Sequence, residues 1–190
     1  MLSLGAVVIE PGLKRTFYRT FRPVANSKWE MDTVPIHGFT PDMASGFPPY
    51  EESIREFAEW LKGISVIRYE PHLPKVYEHP TFISDTSGYD WLFVAYYLGN
   101  FAGVNPFGWS AINIVERYES WRAGRIQAAM EISRLCGDDL DADFYTLKGR
   151  INSMQSFGKL KTTPHDHNAL NDAMGVAESA LAAQVLGFSL

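Results

Sequence analysis

Thr163-Pro164-His165-Asp166-His167-Asn168-Ala169-Leu170-Asn171-Asp172-Ala173 is a loop that feeds a histidine and then a carboxylate into the start of a helix. Thr162, Thr163 and Pro164 break whatever precedes it. From Ala169 onward, Leu170, Ala173, Met174, Ala177, Ala180 and Leu181 recur at three- and four-residue steps, the helical period. Five residues apart, His167 and Asp172 would stand roughly 140° apart on an ideal helix. His167 is therefore expected in the opening turn, leaning inward. Such a pair suits a site where a carboxylate holds a divalent metal and a histidine manages a proton.

Working outward from this motif, Leu4 to Glu10 is a β-branched apolar run that suits a buried strand, stopped by Pro11-Gly12. Thr16 to Arg22 alternates Phe17, Arg19 and Phe21 with Thr16, Tyr18 and Thr20, so the two runs read as an antiparallel hairpin. Thr40 before Pro41 caps a short helical turn. Tyr50, Ile54, Phe57, Ala58 and Leu61 share one helical face, with Glu51, Glu52, Arg55, Glu56, Glu59 and Lys62 on the wet side. Val76, Phe82 and Ile83 mark one or two strands. Asp90 to Leu98 reads as a mostly buried helix with an acid at its opening, a strand being the alternative. Asn105-Pro106-Phe107-Gly108 is a loop, and Tyr118 to Cys136 is a helix that Gly137 ends. Tyr145 to Lys161 is less patterned, with room for one more helix. Strands early and helices late imply one α/β or α+β domain over residues 1–190.

Composition narrows the classes. Hydrophobic content of 46% and aromatic content of 14% describe a globular chain able to bury a core. A net charge of −5 disfavours a non-specific nucleic-acid coating protein, but not an enzyme that grips a short end through metals. The one cysteine, Cys136, excludes an internal disulfide framework and fits a reducing cytoplasm. No apolar run approaches the roughly 20 residues that span a bilayer, so no membrane partner is expected.

Candidate chemistry concentrates in few places. Asp90 follows Phe82-Ile83-Ser84 and the small turn Asp85-Thr86-Ser87-Gly88, which aims its carboxylate from a strand end toward a cleft. The commoner role for such an acid is to cap its helix or oppose the helix dipole. His165-Asp166-His167 invites a zinc reading, but Cys136 is isolated, and His37, His72 and His79 have no ligand spacing. Asp138, Asp139, Asp141 and Asp143 lack the Asx and Gly positions of a calcium loop and read as a solvated acidic connector. No phosphate-cradling glycine loop and no nucleophile elbow occurs. Trp60, Trp91 and Trp121 sit in apolar helical patterns and read as core, although tryptophans can also stack nucleobases.

Together these pieces resemble the DnaQ-like 3′–5′ exonucleases of the DEDDh type, which have a ribonuclease H-like fold. His167-Asn168-Ala169-Leu170-Asn171-Asp172-Ala173 is similar to that family's third motif. Ile83-Ser84-Asp85-Thr86-Ser87-Gly88-Tyr89-Asp90-Trp91 is similar to its second, with Thr86 where many members have asparagine. Leu4 to Ile9 is similar to the family's second strand, and His37-Gly38-Phe39-Thr40-Pro41-Asp42 to a loop on the substrate side. The family's first motif, Asp-x-Glu on the first strand, has no counterpart: Glu10, Glu30 and Asp32 stand in other contexts. Of two accounts, a reading frame that opens late is preferred to a truncated homologue, because the other motifs look intact.

The resemblance implies a mixed sheet flanked by helices, with the first strand missing. It implies that Asp90 and Asp172 hold divalent metal, Mg²⁺ or Mn²⁺, two ions in an intact site. His167 is then the base, and His37, Thr40 and Trp91 contact substrate. The substrate would be the 3′ end of a DNA or RNA strand, and the products nucleoside monophosphates. The missing strand leaves room for a homodimer in which a partner chain replaces it. Two rivals stand beside this: a catalytically dead nucleic-acid-binding or interaction module of the same fold, and a zinc hydrolase built on His165 and His167.

Overall fold

The amino-terminal hairpin forms as its pattern requires. Strands β1 (Ser3–Val7) and β2 (Thr16–Thr20) pair antiparallel, with Gly5 opposite Tyr18 and Leu4 opposite Arg19. The ladder extends through a Val8 N–H bond to the Arg15 carbonyl, then turns through Gly12 and Leu13, both at positive φ. That turn ends β1 before Ile9 and Glu10, which the sequence pattern had placed within it. The computed structural model describes residues 1–68, 76–136 and 142–190. His72, Gly137 and the carboxylates of the expected acidic connector lie outside the described residues and side chains.

Two short helices, α1 (Val34–His37) and α2 (Pro41–Ser45), follow the hairpin. Thr40 caps α2 as its sequence demands, its Oγ1 accepting from Met43 N–H at 3.2 Å. Helix α3 (Tyr50–Ile64) buries Ile54, Phe57, Ala58 and Leu61, the face its spacing marked. Each of those large side chains contributes about 1.5–3 kcal/mol of burial. Strands β3 (Val66–Arg68) and β4 (Val76–Glu78) pair antiparallel, and β5 (Phe82–Ser84) leads into α4 (Ser87–Tyr97), which runs into a π-helical turn, Leu98–Ala102. The Asp90 to Leu98 segment is thus a helix, not a strand.

Strand β6 (Ala111–Asn113) was not visible in the sequence pattern; it pairs parallel to β5, Ile83 opposite Ile112. Helix α5 (Ile114–Cys136) starts earlier than its apolar period suggests. The cause is a reciprocal cap: Asn113 Oδ1 accepts from Glu116 N–H at 3.1 Å, and its amide donates to the Glu116 carboxylate at 3.0 Å. The unpatterned stretch becomes α6 (Ala142–Asn152) and a 3₁₀ turn, Phe157–Lys159. Helix α7 (Ala169–Val185) closes the order.

Two cores result. Leu4, Phe17 and Phe21 of the hairpin meet Ile54, Phe57, Leu61, Val94, Tyr97 and Leu98. Ile114, Tyr118, Phe157, Ala180, Ala183 and Phe188 form the second. Adjacent residues of β5 divide between them, Phe82 to the first and Ile83 to the second, as alternation across a strand requires. Trp60 packs half-buried against the first core and Trp121 against the second. The chain is a mixed α/β fold, with α3 and α4 on one side of the strands and α5 and α7 on the other. Among the described residues no helix is long and apolar enough to cross a membrane.

One contact fixes where α7 lies. A methyl group built on Gly5 would sit 2.2 Å from the carbonyl carbon and oxygen of Ala169 and 2.4 Å from Leu170 N. The backbone of β1 therefore touches the backbone of the first turn of α7, which only glycine permits. Gly5→Ala forces backbone apart at overpacked contacts and is expected to cost about 3 kcal/mol or more. Urea denaturation of the variant checks this. A loss below half that figure would mean that the two backbones are not in contact.

Candidate active site

The site is built where β5 ends and α7 begins. Beyond Ser84 the chain turns through Asp85 and Thr86 into α4, and Asp90 falls in the first turn of that helix. Asp90 is not the cap: Thr86 holds that position, with its carbonyl accepting from Tyr89 N–H at 2.9 Å and Asp90 N–H at 3.1 Å. The Thr86 hydroxyl instead donates to Asp90 Oδ2 at 3.0 Å. A threonine thus orients the carboxylate at the position where the resemblance leads one to look for asparagine.

Across from it, α7 is capped by Asn168, whose Oδ1 accepts from Leu170 N–H at 3.0 Å and Asn171 N–H at 3.3 Å. Asp166 locks the loop ahead of the cap. Its Oδ1 accepts from Asn168 N–H at 3.0 Å and its Oδ2 from the Asn171 amide at 2.7 Å. These donors hold the Asp166 carboxyl below its ordinary range. Glu178, two turns into α7, takes the start of the loop: Thr162 N–H, Thr163 N–H and the Thr163 hydroxyl all donate to it at 2.8 Å. Partial burial pushes the Glu178 carboxyl up, but these bonds outweigh it and leave it lowered.

With the loop held at both ends, His167 adopts φ 60°, a left-handed conformation rare for a non-glycine residue. The kink brings its imidazole edge-on to His165, ring centres 4.2 Å apart. His165 Nδ1 lies 2.7 Å from Asp172 Oδ1. Ligand atoms of His165, His167 and Asp172 all lie within 4.8 Å of one another. His167 is exposed, in a left-handed conformation in the loop ahead of α7, and Asp172 sits in the first turn of α7. The sequence reading assigned His167 to the exonuclease site and kept His165 only for the zinc alternative; the i, i+2 spacing of the two histidines was the available signal.

Asp90 and Asp172 interact although 82 positions separate them in sequence. Burial pushes the Asp90 carboxyl above its ordinary range, the Thr86 and Ser84 hydroxyls pull it part of the way back, and the charges of Asp85 and Asp172 push it up again. No lysine or arginine pairs with either acid among the described residues. Partly desolvated carboxylates that repel one another are the donor set that hard divalent cations take, so these residues fit Mg²⁺ or Mn²⁺.

The three residues expected on the substrate side make their shown contacts with other partners. His37 spends both ring nitrogens within its own loop: Nδ1 accepts from Phe39 N–H at 3.1 Å, leaving the proton on Nε2, 3.1 Å from Thr33 Oγ1. Phe39 stacks on it at 5.7 Å and Trp29 meets it edge-on at 6.1 Å. Thr40 Oγ1 is occupied as the α2 cap. Trp91 packs against Phe82 at 5.3 Å and Phe107 at 6.2 Å.

No family model matches the sequence. Over 189 residues it is 29% identical to the 3′–5′ DNA exonuclease Cap18 of Escherichia coli, covering 94% of this chain and 79% of that protein. The fold is similar to the nuclease domain of 3′hExo, a DEDDh family member solved with rAMP bound. There the TM-score is 0.58 at 16% identity, over 98% of this chain and 80% of that one. It is similar also to the cell-death related nuclease CRN-4, with TM-score 0.54 at 17% identity, over 90% of this chain and 50% of that one. The resemblance to DnaQ-like DEDDh proteins and the α/β, ribonuclease H-like fold expected from the sequence are both borne out.

Asp90 yields a prediction about stability. Its folded-state affinity for a proton exceeds that of an unfolded aspartate, so stability falls as pH rises from the unfolded value, about 3.9, through the folded one. Above that window the full cost remains. Asp90→Asn is therefore expected to melt a few degrees higher than the wild-type chain at pH 7 in metal-free buffer, the margin narrowing as pH is lowered toward 4. Thermal melts across that range check it; a variant that melts lower at pH 7 would mean the carboxylate is not under electrostatic strain.

Proposed function

We propose that this chain, similar to the DEDDh 3′–5′ exonucleases over nearly its whole length, is a metal-dependent 3′–5′ exonuclease acting as a single domain. The observation that carries the reading is the cluster of His165, His167 and Asp172 at the start of α7, with half-buried Asp90 of α4 close enough to Asp172 to feel its charge. Asp90 and Asp172 hold the divalent ions, Mg²⁺ or Mn²⁺. Those ions, when bound, offset the charge that develops on the phosphate and on the departing oxygen. His167 takes the proton from the attacking water, the general-base role that an imidazole can serve. The water oxygen bonds to phosphorus, the bond to the 3′ oxygen of the preceding nucleotide breaks, and a nucleoside monophosphate leaves.

The chain's other residues position. Thr86 orients Asp90, Asn168 and Asp166 set the pitch of the loop that carries His167, and Glu178 anchors that loop to α7. His37, Thr40 and Trp91 are assigned to the substrate side, where the His37–Phe39–Trp29 rings offer a surface for stacking a base. The likeness to a DNA exonuclease makes a single-stranded DNA 3′ end the first substrate to try, with RNA beside it.

A second reading, a module that binds nucleic-acid ends without turnover, has one observation in its favour. By the resemblance the two-ion site draws on four carboxylates, and Asp90 and Asp172 are two of them. Mononucleotide release from 5′-labelled DNA and RNA with Mg²⁺ or Mn²⁺ decides between them. The exonuclease reading expects shortening from the 3′ end, lost on removal of the metal by chelation. It also expects His167→Ala and Asp90→Asn to slow release by about 100-fold or more with the fold retained by circular dichroism. Near-wild-type rates in either variant would remove its assigned role. End binding without shortening would favour the second reading.

A further inference from the structure

We propose that His165, His167 and Asp172 form a binding site for a borderline transition-metal ion, Zn²⁺ foremost, different in chemistry from the hard-cation site that Asp90 and Asp172 would share. Two imidazoles and one carboxylate, with a fourth position open to water, are a donor set that zinc takes and that magnesium does not select. The geometry is close to that required. Ligands about 2.0–2.1 Å from a tetrahedral ion stand roughly 3.3 Å from one another. His165 Nδ1 and Asp172 Oδ1 are 2.7 Å apart, and the full set lies within 4.8 Å. His165 and His167 are both exposed, so their rings can close the remaining distance without disturbing either core.

Asp172 Oδ1 supplies an independent observation. It is closed to solvent and receives no aligned hydrogen bond, although the His165 ring touches it. The structure gives that oxygen no aligned donor, so a cation seated between it and the His165 ring would satisfy it. The neighbouring acid does not compete, because both Asp166 oxygens are spent on Asn168 and Asn171. That lock, and the left-handed turn at His167, hold the two imidazoles together before any ion arrives.

An ion seated there occupies His167 and one oxygen of Asp172, so Zn²⁺ and Mg²⁺-supported turnover exclude one another. This consequence rests on the exonuclease reading; the site itself does not.

The test is calorimetric titration of Zn²⁺ into the full chain carrying Cys136→Ser, which removes its one thiol. One ion per chain is expected, bound roughly tenfold or more weakly in His165→Ala and again in His167→Ala. Because His165 is exposed, its replacement leaves no cavity, and a thermal melt in metal-free buffer confirms folding. Co²⁺ serves as a spectroscopic probe: visible bands of a four-coordinate ion are expected and should vanish in His165→Ala. Unchanged Zn²⁺ affinity in both histidine variants, or a six-coordinate Co²⁺ spectrum, overturns the site. Stoichiometric Zn²⁺ binding by a chain that never shortens nucleic acid upholds the site while removing the exonuclease reading, so the two failures are distinguishable.

Discussion

The backbone contact between Gly5 and the Ala169–Leu170 peptide is the constraint on which the rest of the structure depends. A sheet and a helix ordinarily keep a layer of side chains between them; here none fits, and the first turn of α7 rests on the strand itself. The Lys161 side chain also lies over α7 at Gly175, where an added methyl group would meet it at 2.8 Å. Glu178 then takes both threonine amides, and the loop between Lys161 and Ala169 has little freedom left.

That rigidity matters because the groups it presents repel or strain one another. Asp90 is partly desolvated and faces the charge of Asp172; His167 is in a sparsely populated backbone region; the two imidazoles are in van der Waals contact. None of these arrangements is the relaxed choice of its own segment. They persist because hydrogen bonds from Thr86, Asn168, Asp166 and Glu178 over-determine the surrounding segments. Strain of this kind concentrates at sites where a bound ligand or a reacting group can relieve it.

Much of this was legible residue by residue. The period of two in Phe17, Arg19 and Phe21 gave the hairpin, the period of 3.6 in Ile54, Phe57 and Leu61 gave α3, and Thr40-Pro41 gave a capped turn, because each signal is local and each is satisfied locally. Helix α7 and its acid were read the same way. The elements that escaped were those whose cause is not local. Strand β6 is three residues long and exists because β5 is beside it. Helix α5 begins early because one asparagine caps it before any apolar period is established.

The sequence by itself therefore determined the locally coded elements and a short set of candidate residues, Asp90, His167 and Asp172 among them. Only the tertiary structure decided that Asp90 feels the charge of Asp172, that His165 reaches Asp172, and that His37 turns both nitrogens into its own loop. The reason is physical. Periodicity records which side of an element avoids water, but it carries no information about which distant element will be there. That pairing is settled by steric fits such as the one at Gly5, where the missing side chain leaves room for another backbone.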